Sequence, residues 1–103
     1  MTKYVIIDGA SGSIHDDFAS ARNALTDDWL ERFYKTIYGY GICTEDIMRF
    51  PELPQEYVTC EAFLRTWKAL SDAQMHHALQ LPNESDDFRA QSHEHPLGFY
   101  VVN

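Results

Sequence analysis

The stretch from Thr59 to Leu81 carries the longest run of apolar residues at helical spacing in this chain. The spacing of about three to four positions predicts one buried helical face. Its apolar members are Phe63, Leu64, Trp67, Leu70, Met75, Leu79 and Leu81. Thr59 is a suitable N-cap, and Pro82 is expected to end the stretch. Because Ser71 and Gln74 also form a capping-box pair, the stretch is either one helix or two shorter helices that meet near Leu70.

Short runs of β-branched and aromatic residues lie near the two ends of the chain. Tyr4 to Ile7 is stopped by Asp8-Gly9, and Gly98 introduces the run FYVVN. Two terminal strands with helices between them most simply pair with each other in one short sheet. A chain of 103 residues can form a core without metal or disulfide support. We therefore expect a single α+β domain over residues 1–103, dominated by helices.

Capping signals divide the region between the strands into further helices. We predict helices at 16–25 and 27–38, the second ended by the glycines at 39 and 41, and a short helical turn from Thr44 that Pro51 stops. The two prolines within 50–57 predict an extended connection, which packs Leu53 and Tyr57 against the helices.

The polar segment 82–97 is expected to differ from these helices. Its composition predicts a surface loop with one marginal helical turn beginning at Ser85. No internal repeat, low-complexity tract or domain linker interrupts the chain.

The glycine-rich stretch VIIDGASGS resembles the opening of the phosphate loop in nucleoside-monophosphate kinases. When Gly9 is aligned with the first motif glycine, Ile14 replaces the second glycine, His15 replaces the lysine and Asp16 replaces the magnesium-binding hydroxyl. Isoleucine blocks close approach of the backbone to phosphate, and aspartate repels the phosphate. Residues 8–13 are therefore expected to form an ordinary flexible turn.

The charge of the chain limits the classes of partner. Sixteen acidic residues against eight lysines and arginines give a formal net charge of −8. This charge disfavours direct binding to a nucleic-acid backbone or to an anionic membrane, and it favours a basic protein. The sequence shows no bilayer-spanning run and no secretory signal, so we expect a cytoplasmic protein. Cys43 and Cys60 are expected to be reduced, although the sequence leaves a single disulfide open.

The sequence contains no strong catalytic or metal-binding motif. His76-His77 and His93-Glu94-His95 could supply imidazole ligands to a metal, but they lack the spacing of a known metal-binding motif. No G-x-S-x-G motif surrounds a serine, and neither cysteine lies in a recognisable catalytic signature. We expect neither an enzyme nor a bound cofactor, and a small metal- or ligand-binding regulatory domain stays as an alternative.

Most acidic pairs stand at predicted helix starts, where they favour the positive end of the helix dipole. If these starts cluster, their carboxylates would form a face that imitates phosphate spacing and attracts a basic cleft. Tyrosines near these carboxylates would strengthen the contact. The predicted partner-binding residues are Asp16, Asp17, Asp27, Asp28, Glu31, Tyr34, Tyr38, Glu45, Asp46, Asp86 and Asp87. The other interpretation is a solvated acidic surface that only aids solubility.

In general character, a small acidic domain without catalytic motifs resembles phage-encoded anti-CRISPR or anti-restriction inhibitors and toxin-neutralising immunity proteins. The resemblance rests on size and charge, and it transfers no functional positions to this chain. It implies an inhibitor that blocks a basic, nucleic-acid-handling protein, including by mimicry of DNA, with a toxin-neutralising role as the alternative. The sequence leaves open the partner's identity, the stoichiometry, and whether the strands pair within one chain or between two.

Overall fold

The computed structural model describes residues 1–42, 44–93 and 96–103. Its sheet has the strand order β2-β1-β3, with β1 at Lys3–Asp8, β2 at Ser11–His15 and β3 at Leu97–Val102. Both neighbours of β1 run antiparallel to it. The predicted α+β class is confirmed, and the N- and C-terminal strands pair within one chain.

The β1–β2 hairpin corrects the prediction that residues 8–13 form a flexible turn. Only Gly9 and Ala10 connect the strands, and Ser11 to Ser13 already belong to β2. Gly9 has a φ of 61°, a left-handed conformation that glycine adopts without a Cβ clash. The sequence did not predict β2, because the strand is polar and forms through its pairing with β1.

The first two helices occupy the predicted regions, with shorter bounds. Helix α1 is Phe18–Ala24, capped by the Asp17 carboxylate, which accepts from the Ser20 N–H at 2.7 Å. Helix α2 is Asp27–Tyr34, capped by Thr26, and continues as a π-helical turn over Lys35–Gly39.

The stretch that dominates the sequence forms two helices rather than one. Helix α3 is Thr44–Met48, α4 is Cys60–Lys68 and α5 is Asp72–Ala78. Ser71 and Gln74 form the predicted capping box at the start of α5. Between α3 and α4, Leu53 is buried as expected. The prediction for Tyr57 is wrong, because its side chain is 74% exposed.

The segment 82–97 differs most from its prediction as a surface loop. It contributes to α6 (Leu81–Glu84) and contains α7 (Asp86–Gln91). Pro82 lies in the first turn of α6, where its missing N–H removes no intrahelical hydrogen bond. Phe88 on α7 is 0% exposed, so this segment forms part of the core.

The helices pack on one face of the sheet around a group of aromatic rings. Phe33 on α2 lies at its centre, with its ring centroid 5.3 Å from that of Trp29, 5.5 Å from that of Trp67 and 5.6 Å from that of Phe88. Ile6 and Phe99 contribute the sheet's side of this core. Within the described residues, no helix has the length and apolarity needed to cross a membrane.

Candidate protein-binding surface

Every lysine and arginine side chain in the protein is ion-paired with a carboxylate. The longest of the ten nitrogen–oxygen separations, from Arg65 Nη1 to Glu61 Oε1, is 3.9 Å. The pairs are Lys3 with Asp16, Arg22 with Asp72, Arg32 with Asp8 and Asp28, Lys35 with Glu31, Arg49 with Asp46 and Glu84, Arg65 with Glu61, Lys68 with Asp27, and Arg89 with Asp86. Each lysine and arginine of the described residues therefore shares its charge with at least one carboxylate.

Part of the excess negative charge lies on carboxylates that have no lysine or arginine partner. Among the described residues these are Asp17, Glu45, Glu56 and Asp87, and all four are exposed. The Asp17 carboxylate accepts a hydrogen bond as the N-cap of α1, whereas Glu45 and Asp87 lie in the first turns of α3 and α7.

The starts of α3 and α7 are held together by side-chain hydrogen bonds. The Ser85 hydroxyl accepts from the Phe88 N–H at 3.0 Å and donates to Asp46 Oδ2 at 2.9 Å. Arg49 donates from Nη2 to Asp46 Oδ1 at 2.9 Å and lies 3.4 Å from Glu84 Oε2 through Nη1. We call this region the α3–α7 acidic surface; it comprises Glu45, Asp46, Glu84, Asp86, Asp87, Arg49 and Arg89.

The other predicted acidic residues lie at two further places in the fold. On α2, each of Asp27, Asp28 and Glu31 faces a lysine or arginine. Asp16 lies between β2 and α1. Lys3 on β1 lowers the pKa of Asp16 below its ordinary value through a hydrogen bond and through its positive charge. On α2, three carboxylates pair with three cationic side chains, whereas the α3–α7 acidic surface has five carboxylates and two guanidinium groups.

The two tyrosines that were predicted to contact a partner form hydrogen bonds within the protein. Tyr34 is 8% exposed and donates its hydroxyl to the Val58 carbonyl, while Tyr38 donates to the Pro54 carbonyl at 2.6 Å. Burial, together with the neighbouring Tyr57, raises the pKa of Tyr34 to about 12. Burial also raises the pKa of Tyr38. Tyr34 therefore does not present its ring to a partner, and the prediction did not anticipate this burial.

Met48 is an exposed apolar residue that the sequence prediction did not select. It ends α3, and its side chain is 64% exposed. Its position one turn after Glu45 adds an apolar contact at the edge of the α3–α7 acidic surface. No sequence signal distinguishes it from a core methionine, because the helical pattern of so short a segment is ambiguous.

His76 and His77 make contacts that hold the fold together. The ring of His76 packs against Phe18 and Phe99, with centroids 5.4 Å away in each case. His77 Nδ1 lies 2.6 Å from Glu52 Oε1. In the described part of the chain, no group of three or more His, Cys, Asp or Glu side chains is arranged to hold a metal ion. His95, Glu94 and Cys43 lie outside the described residues, and Cys60 is a free, half-buried cysteine.

A serine–histidine contact joins β2 to α1. His15 Nε2 lies 2.8 Å from Ser13 Oγ, and His15 Nδ1 lies 2.9 Å from Ser20 Oγ. Ser13 also lines a cavity of about 200 Å³, but the Asp8 carboxylate lines the same cavity. Because a carboxylate there would repel the oxyanion of an acyl-transfer reaction, we interpret the contact as a structural link.

The α3–α7 acidic surface has the chemistry to attract a cationic group from another protein. Its unpaired carboxylates are exposed, and its backbone is fixed by Ser85 and Arg49. No family model, curated protein or solved structure matches this chain. Rigid carboxylates beside an exposed methionine resemble a protein-binding surface more closely than a reaction centre.

Proposed function

We propose that the protein is a stoichiometric inhibitor that binds a basic, nucleic-acid-handling protein and blocks it. The observation that supports this proposal is the ion pairing of all eight lysine and arginine side chains, while Glu45 and Asp87 are exposed and have no cationic partner among the described residues. Such a charge distribution repels nucleic acid and steers a cationic cleft toward the protein.

The α3–α7 acidic surface is the proposed docking site. Its carboxylates are held at two adjoining helix starts, so they can take the place of the phosphates that the partner's basic cleft normally contacts. Met48 adds apolar area beside them. The class of partner is a nucleic-acid-handling complex of the kind that anti-CRISPR or anti-restriction inhibitors block, and we place the encounter in the cytoplasm.

A charge-reversal experiment tests this docking site. The protein is immobilised, a partner is captured from host lysate and purified, and its affinity is measured for wild type and for Glu45→Lys with Asp87→Lys. The matched control is Glu56→Lys with Glu61→Lys, which changes the net charge equally at other exposed positions. We expect the first pair to weaken binding at least about tenfold, while the control changes it by no more than about twofold.

Salt and competition measurements complete the test. Binding should be lost between about 0.15 and 1 M salt, because the screening length falls from about 8 Å to about 3 Å. The bound partner should also lose its affinity for nucleic acid. Persistence of the complex at 1 M salt, equal effects of the two double variants, or undiminished nucleic-acid binding by the complex would each contradict the proposal.

A further inference from the structure

A cavity of about 130 Å³ lies where α2 and its π-helical turn meet the end of α7 and the start of β3. The side chains that matter most in its lining are Arg32, Lys35, Tyr40, Ser92 and Leu97. None of the described lining residues belongs to the α3–α7 acidic surface. The cavity is therefore separate from the proposed docking site.

The charge of this lining is opposite to that of the whole chain. Two of the eight lysines and arginines, Arg32 and Lys35, line the cavity, and no carboxylate of the described residues does so. The formal net charge of the chain is −8. A cavity that has only cationic groups in its described lining, within so acidic a protein, favours an anionic occupant.

The contacts of Arg32 leave part of its guanidinium group free to bind. Both of its carboxylate partners, Asp8 and Asp28, lie against the same nitrogen, Nη2. Nη1 and Nε have no hydrogen-bond partner among the described residues, and Nε is buried. An oxyanion in the cavity can accept from Nη1, and hydrogen bonds between opposite charges are about twice as strong as neutral ones.

A buried hydroxyl adds a neutral donor to the same cavity. Three polar residues of the described chain are buried, namely Thr36, Ser85 and Ser92. Thr36 donates to the Arg32 carbonyl at 2.9 Å, and Ser85 donates to Asp46. The Ser92 hydroxyl forms no hydrogen bond with a described residue, although Ser92 is only 9% exposed. Because buried polar atoms are normally hydrogen-bonded, this hydroxyl indicates a partner inside the cavity.

The π-helical turn adds an aromatic ring to the lining. The Tyr40 N–H donates to the Lys35 carbonyl at 3.2 Å, so the two residues lie one wide turn apart. Turns of this kind occur frequently at functional sites. Tyr40 is 61% exposed, whereas Leu97 is buried, so the cavity has apolar surface at its rim and in its interior. Benzene fits a protein cavity of about 150 Å³, which is close to the size of this one.

We propose that this cavity binds a small organic carboxylate. The carboxylate group lies at Arg32 and Lys35 and accepts from the Ser92 hydroxyl, while the apolar body of the ligand packs against Tyr40 and Leu97. Inorganic phosphate would use the same donors but would leave both apolar side chains without a contact. Since Arg32 and Lys35 share their charges with carboxylates of the protein, we expect a dissociation constant on the order of 1 mM.

NMR titration of the full-length ¹⁵N-labelled protein tests the proposal. Measurements at about 0.15 M salt screen charges that lie more than about 8 Å apart. The probes are benzoate, acetate, benzamide and inorganic phosphate, each added to about 20 mM at constant ionic strength. Benzoate should shift the backbone amides of Thr36, Tyr40 and Ser92 saturably. Acetate and phosphate, which lack the apolar body, and the neutral benzamide should each bind at least about tenfold more weakly.

Three variants and a matched control assign the site. Lys35→Gln and Ser92→Ala should each weaken benzoate binding at least about threefold, and Arg32→Gln at least about tenfold. The control is Arg65→Gln, because Arg65 resembles Lys35 in being exposed and in pairing with a glutamate one helical turn earlier, but does not line the cavity. Circular dichroism checks the fold of each variant. If Arg32→Gln fails to fold, the exposed Lys35 still tests the contribution of the cations.

Four outcomes would overturn the carboxylate site. Amides that stay unshifted at about 20 mM benzoate would show that the cavity holds only water. Benzamide binding as tightly as benzoate would exclude a role for the cations, and phosphate binding as tightly would exclude one for the apolar lining. Equal effects of Lys35→Gln and Arg65→Gln would indicate attraction by overall charge alone. The charge-reversal experiment changes other residues, so this site and the inhibitor proposal can fail separately.

Discussion

The hydroxyl of Ser85 links the carboxylate of Asp46 to the start of α7. It donates to Asp46 Oδ2 at 2.9 Å and accepts from the Phe88 N–H at 3.0 Å. Ser85 is 0% exposed, so water does not replace either bond. One buried oxygen therefore caps α7 and also sets its position relative to α3, which fixes the geometry of the α3–α7 acidic surface.

Replacing Ser85 by alanine should remove both hydrogen bonds and leave the Phe88 N–H unsatisfied in the interior. We expect the free energy of unfolding to fall by about 1 to 3 kcal/mol. Ser71→Ala is the matched control, since Ser71 caps α5 at an exposed position where water can replace its hydroxyl. Urea denaturation measures both variants. An equal cost for the two serines would show that burial adds nothing to the role of Ser85.

Phe88 distinguishes the predicted surface loop from the observed core element. Phe88→Ala should lower the free energy of unfolding by about 3 to 5 kcal/mol, because the ring is fully buried against Phe33. Tyr57→Ala, at a side chain that is 74% exposed, should change it by less than about 0.5 kcal/mol. Thermal and chemical denaturation can compare the two. A negligible cost for Phe88→Ala would mean that α7 does not pack as described.

The segment around Phe88 was mispredicted because two of its buried positions are serines. Leu81, Ser85, Phe88 and Ser92 are all buried and recur at helical spacing. Of these four residues only Leu81 and Phe88 are apolar, so the segment shows no apolar pattern of helical spacing. The polar residues around them are typical of a loop. The Ser85 hydroxyl caps α7 locally, but it also donates to Asp46, 39 residues away in sequence, and no local pattern reveals that second bond.

Local signals were sufficient elsewhere in the chain. The caps Thr26, Thr59 and Ser71 mark helix starts at the predicted places, since capping depends only on neighbouring residues. The pairing of β2 and the burial of Tyr34 depend on distant partners, and both were missed. For the same reason, the sequence identified the acidic helix starts but not which of them adjoin.

The hairpin turn gives a test of backbone conformation. Gly9→Ala should cost about 1 kcal/mol, because its φ of 61° is unfavourable for a residue with a Cβ atom. No atom of the other described residues lies within 4 Å of the added methyl group, so the cost reports the backbone conformation and not a clash with them. Gly39→Ala is the control at a glycine without a positive φ, where the nearest described atom to the methyl group would be the Lys35 Cβ at 3.9 Å. A cost for Gly39→Ala as large as that for Gly9→Ala in urea denaturation would contradict this explanation.

Tyr34, which is buried, and Tyr38, which is partly buried, should make the protein sensitive to alkaline pH. Burial raises the pKa of Tyr34 to about 12, and it raises the pKa of Tyr38 as well. An unfolded tyrosine titrates near pH 10, so the unfolded chain releases these protons first as the pH rises. The contribution of the protonated tyrosines to the free energy of unfolding is therefore complete below about pH 10, and it is lost progressively as the pH rises to about 12.

Replacing Tyr34 and Tyr38 together by phenylalanine should flatten this alkaline decline in the free energy of unfolding. The double variant should also lose about 1 kcal/mol per hydroxyl at neutral pH, because the carbonyls of Val58 and Pro54 lose their donors. Tyr40→Phe, at an exposed ring, should leave the wild-type slope unchanged. Urea denaturation at a series of pH values gives the slopes, and phenolate absorbance gives the titrations. If the double variant keeps the wild-type slope between pH 10 and 12, the ionisation of these two side chains is not linked to folding, and their raised pKa values cannot explain alkaline unfolding.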